Sequence, residues 1–86
     1  MRHIEIHCCA TEKSIMSFPM GALCIKTTIN QTEGLPEAEL YQHYIPDNPV
    51  AEARLAASRS PFAIGFSMYI WNSRWFQTFA EEIRAL

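Results

Sequence analysis

Eighty-six residues, 49% apolar and 12% aromatic, suffice for one domain spanning residues 1–86, with a modest core and little room for an enclosed catalytic cavity. Seven Lys plus Arg against nine Asp plus Glu give a net charge of −2. That balance argues against direct nucleic-acid binding, which needs clustered positive charge to displace counterions.

The longest apolar run, residues 61–71, is about half the ~20 residues of a membrane span. The N-terminus lacks the charged-then-apolar order of a signal peptide. Three cysteines, two of them adjacent, do not form the even, spaced set of a secreted disulfide scaffold. Free thiols and a cytoplasmic location are therefore expected.

In chain order, residues 2–9 come first. Ile4, Ile6 and Cys8 alternate with His3, Glu5, His7 and Cys9, the period-two pattern of a half-buried strand whose second face is polar and exposed. Residues 10–20, with small and polar residues and Pro19, read as a connection. Residues 22–30 alternate again, with Leu23, Ile25, Thr27 and Ile29 on one side, and predict a second strand that forms a hairpin with the first. Gly34 and Pro36 break it. A third strand is expected near 39–45, closed by Pro46.

Asn48 followed by Pro49 is a helix start, since the Asn side chain caps and proline fits the first helical position. That helix should end near Ser58, because Pro61 disfavours helical geometry at Ser60. Residues 62–70 alternate and predict a fourth strand. After a turn at Asn72-Ser73, Trp75, Phe79 and Ile83 line one face of a C-terminal amphipathic helix. The sum is an α+β domain of two layers: an antiparallel sheet of three to four strands with two helices on one face.

The opening strand invites a chemical reading. In a hairpin register that sets Glu5 opposite Lys26, His7 falls opposite Cys24 and Cys9 opposite Ala22. His7, Cys9 and Cys24 would then converge within reach of one zinc ion, with His43 as a fourth ligand if the third strand lies alongside. The spacing matches no established zinc motif, and the plainer reading, an exposed polar face backed by a small buried Cys8, is the stronger of the two. A Cys24–His7 nucleophile pair lacks any sign of an oxyanion donor set. Arg54 and Arg59 could bind an anion, alone or with a helix end, but the plainer reading, two surface arginines, is the stronger.

The aromatics carry more. Phe62, Phe66, Tyr69, Trp71, Trp75, Phe76 and Phe79 crowd the last third, more than so small a core encloses. Trp71 and Phe76 are expected at the surface, with Tyr41 and Tyr44 near Glu37, Glu39 and Asp47. Aromatics beside charge are the composition of a protein-binding surface. No motif names a family. The expectation is a small, non-enzymatic, protein-binding regulator or inhibitor, docking that aromatic and acidic surface onto a larger partner or a second copy. A phage- or plasmid-encoded modulator of a host nuclease complex is one such class. The alternative is a metal- or thiol-dependent protein using His7, Cys9 and Cys24.

Overall fold

The computed structural model describes residues 2–11 and 19–86. Strands and helices alternate: β1 (His3–Ala10), α1 (Met20–Asn30), β2 (Glu37–Tyr44), α2 (Pro49–Ser58), β3 (Ala63–Ser67) and α3 (Ser73–Ala85). Of the connection expected over 10–20, residues 12–18 lie outside the described residues.

The sheet has three strands in the order β2-β1-β3, all parallel. This overturns the antiparallel sheet expected above. The error lies in residues 22–30, which alternate like a strand and are a helix. Ala22 and Ile29, two helical turns apart, pack against the sheet, while Ile25, which the strand pattern placed inside, is 54% exposed. Thr27 and Thr28, poor helix formers, donate their hydroxyls to the carbonyls of Leu23 and Cys24 one turn back. Local preference loses because β1 and β2 are parallel, and parallel neighbours need a crossover rather than a hairpin.

From β1 the chain steps outward to β2, then back across β1 to β3. Reversing direction along the sheet with crossovers of one hand lays successive helices on opposite faces. Accordingly α1 covers Ile4, Ile6, Cys8, Ala38 and Leu40 on one face. On the other, Ala53 and Ala56 of α2 and Trp75, Phe76 and Phe79 of α3 pack with Cys9, Ile64 and Phe66. Two helices do share a face, as expected, and a third covers the opposite one.

The second half of the chain follows local signals closely. Asn48 Oδ1 accepts from the backbone N–H groups of Val50 and Ala51, and Pro49 opens α2. Asp47 Oδ2 accepts from Tyr44 N–H, and its carbonyl accepts the Trp75 indole N–H, so one turn ties β2 to both helices. At the far end of α1, the Asn30 amide donates to the Ala38 carbonyl and accepts from the Ala38 N–H, docking the helix onto β2. β3 stops at Ser67, three residues before the expected strand.

Helix α2 ends with Arg59 at its cap and Ser60 in the left-handed region at φ 51°. A side chain there meets the following carbonyl, a cost glycine avoids. Ser60→Gly is expected to raise unfolding free energy by about 0.5–1 kcal/mol, read from the urea midpoint; an unchanged or lowered midpoint would show that the turn carries no strain.

Candidate functional site

The face of β1 expected to be polar and exposed is buried. Glu5 and His7 are both fully buried, since the central strand of a parallel sheet is covered on each side. His43 on β2, 4% exposed, lies alongside. The three form a line. His7 Nε2 is 2.8 Å from Glu5 Oε1, and His7 Nδ1 is 2.7 Å from His43 Nε2. Arg59, at the end of α2, donates to Glu5 through Nε at 2.8 Å and a terminal nitrogen at 3.0 Å. His3 Nε2 lies 2.8 Å from the same carboxylate. The guanidinium also sits 4.1 Å above the Tyr41 ring.

Burial alone would raise the Glu5 pKa, but the hydrogen bonds from Arg59, His3 and His7 outweigh it and hold the group at about 2. An ionised carboxylate only accepts. His7 therefore donates through Nε2, leaving Nδ1 to accept from His43 Nε2–H. Burial lowers the His7 pKa against the pull of Glu5. It lowers His43 to about 4, assisted by repulsion from His7. Both rings are neutral at pH 7, and their tautomers are set by Glu5.

The carboxyl ends of the strands form a different kind of site. Asn72, fully buried, donates to the carbonyls of Cys9 on β1 and Ser67 on β3, at 3.0 and 3.2 Å. Its side-chain oxygen accepts from Tyr69 N–H at 2.7 Å. One amide thus closes the ends of two strands and folds residues 68–71 over them. Beneath lies a crevice of about 340 Å³ lined by Cys8, Cys9 and Ala10, by Ser67, by the first turn of α1 and by Tyr69 and Trp71. The rings of Tyr69 and Trp71 stack in parallel, 4.6 Å apart, and both are about half exposed. β1 and β3 are neighbours, yet α1 leaves on one face and α3 on the other, so the crevice stands at the topological switch point of the sheet.

The residues singled out from sequence scatter. Cys24 is exposed on α1, whereas Cys9 belongs to the core on the opposite face, so the hairpin that would gather His7, Cys9 and Cys24 does not exist. Among the described residues, no group of three His, Cys, Asp or Glu is placed to hold a metal ion. Burial pushes the Cys8 thiol up to about 11 and the Cys9 thiol to about 12, so both stay protonated.

Phe76, expected at the surface, is 1% exposed: α3 buries adjacent Trp75 and Phe76 because it packs in the angle between α2 and β3. Trp71 is exposed as expected. Glu37 and Glu39 are exposed on β2, whereas Tyr41, Tyr44 and Asp47 are half-buried; Tyr41 donates to Glu39.

Sequence reasoning missed Glu5 and Asn72, and it set aside the anion-binding reading of Arg59, whose anion is the Glu5 carboxylate. Asn72 was legible only as a turn residue. Arg59 carried one signal, its place just after a well-capped helix.

No family model, no curated protein and no solved structure matches the chain. Among the described residues, no helix is long and apolar enough to cross a membrane.

Because the fold keeps His43 neutral down to about pH 4, the unfolded chain binds more protons between there and the ordinary value of 6.5. Stability is therefore fully present above pH 6.5 and falls as pH drops toward 4, by on the order of 3 kcal/mol for this group. Urea midpoints between pH 7 and 4 should show that fall, and His43→Gln, which does not titrate, should make it shallower, leaving the part contributed by buried His7. Identical slopes in the two proteins would exclude His43 as the titrating group.

Proposed function

We propose that this domain binds a flat heteroaromatic ligand, of nucleotide or related cofactor type, in the crevice at the carboxyl ends of β1 and β3. The observation that carries the reading is position. In open parallel sheets, ligands bind outside the carboxyl ends of the strands at the switch point, and the crevice stands there. Its volume of about 340 Å³ suits a small molecule. A half-exposed aromatic pair at its wall offers a stacking surface. The protonated thiols beside it support binding rather than nucleophilic chemistry.

Titration with flavin mononucleotide, NAD and ATP should identify a ligand that quenches indole fluorescence. Trp71→Ala should weaken it about tenfold or more, as loss of one stacking partner does. Trp71 is 55% exposed and Trp75 6%, so the quench should vanish with Trp71. No saturable quench with any of the three, or an equal one in Trp71→Ala, would overturn the reading.

A second reading, docking onto a partner protein, is favoured by Ile70, which is 97% exposed beside exposed Met68, Tyr69 and Trp71. Glu37 and Glu39 do not share that surface: Glu37 pairs with His3 at the start of the strands, whereas residues 68–71 follow Ser67 at their end, the end at which Asp47 follows β2. On this reading Ile70→Asp releases the partner, and charge reversal at Glu37 and Glu39 leaves it bound.

A further inference from the structure

The sheet has two edges, and they differ. The β2 edge carries Glu37 and Glu39 and follows Pro36, devices that deter strand-to-strand association. The β3 edge has none of these within its own sequence: residues 62–71 contain no charge and no proline, and the charge beside it is the Arg2 guanidinium, 5.0 Å from the Phe62 ring at its start. Among the described residues, no strand lies beyond β3, and the face opposite α2 and α3 has no helix over Ala63, which is exposed. Parallel sheets are ordinarily covered on both faces.

We propose that β3 pairs antiparallel with β3 of a second copy, about a two-fold axis at Gly65, to make one six-stranded sheet. The sequence around that axis is self-complementary. Gly65 meets Gly65 once on the axis, while Ile64 meets Phe66, Ala63 meets Ser67 and Phe62 meets Met68 twice each, as an isologous interface requires. All five residues of β3 are paired. Residues of one face meet residues of the same face, so Ile64 and Phe66, which pack under the helices, join across the axis. A one-residue slip would break that match.

The pairing leaves Tyr69, Trp71 and Ile70 outside its register and shares only Ser67 with the crevice and Met68 with the exposed 68–71 surface, so Trp71→Ala and Ile70→Asp test the readings above without touching the paired strand.

The test is sedimentation of the full chain, with disulfide trapping in a Cys24→Ser background that removes the exposed thiol. The expected result is a dimer in which Gly65→Cys crosslinks to itself under mild oxidation and Ala63→Cys alone does not. A mixture of Ala63→Cys and Ser67→Cys chains should crosslink to each other several-fold more than either does alone. That mixture keeps the test decisive even if a Cβ at position 65, 3.4 Å from Ile6 Cδ1, disturbs the fold. A monomer at all concentrations with no crosslinks would overturn the proposal. So would a dimer trapped at 63 and not at 65, which would place the contact on another register or another face.

Discussion

The carboxylate of Glu5 sits fully buried at the middle of the central strand, and an unpaired charge there would cost several kcal/mol even after relaxation. Arg59 answers it with two hydrogen bonds from the C-cap position of α2. That pairing sets much else. It draws the end of α2 down onto β1, which requires Ser60 to turn through the left-handed region before the chain enters β3. It lays the guanidinium on Tyr41 of β2. It also keeps Glu5 ionised, which orders the tautomers of His7 and His43. A charge at the centre of the sheet thus links all three strands to the helix that joins two of them.

The same line of polar groups explains how so small a core accommodates two histidines. Each ring nitrogen between Glu5 and His43 has a partner of the correct sense, and no buried side-chain nitrogen or oxygen of the described residues lacks one. The rings also serve as packing surface. His7 stacks with Tyr41 and His43, His43 stacks with Trp75, and Phe79 lies against both. Polar satisfaction and aromatic packing are achieved by the same atoms, so α3 rests on a layer that is chemically polar at its edges and flat on its faces.

At the carboxyl end of the sheet, Asn72 has the corresponding role. Its amide replaces the strand hydrogen bonds that end with Cys9 and Ser67, and it holds the turn carrying Tyr69 and Trp71. This frees the aromatic pair from the core without freeing the backbone beneath it. An exposed stacking surface on a rigid support is the part of the molecule best suited to recognition.

Signals that act within a few residues were legible in the sequence. Asn48-Pro49 opened α2, Pro61 limited its end, and the spacing of Trp75, Phe79 and Ile83 defined α3, because caps and amphipathic stripes depend on neighbours within a turn or two. The alternation of residues 2–9 correctly gave a strand, and the exposure of Trp71 was expected from crowding. The tertiary structure alone decided that residues 22–30 form a helix, since their alternation is compatible with both periods and only the parallel pairing of β1 with β2 excludes a strand. It alone decided that Glu5 and His7 lie inside. A period-two pattern separates two faces but does not say which face a helix will cover, and here helices cover both. The partners that make those buried groups tolerable, Arg59 and His43, lie 54 and 36 residues away in the chain, a distance over which no local pattern carries information.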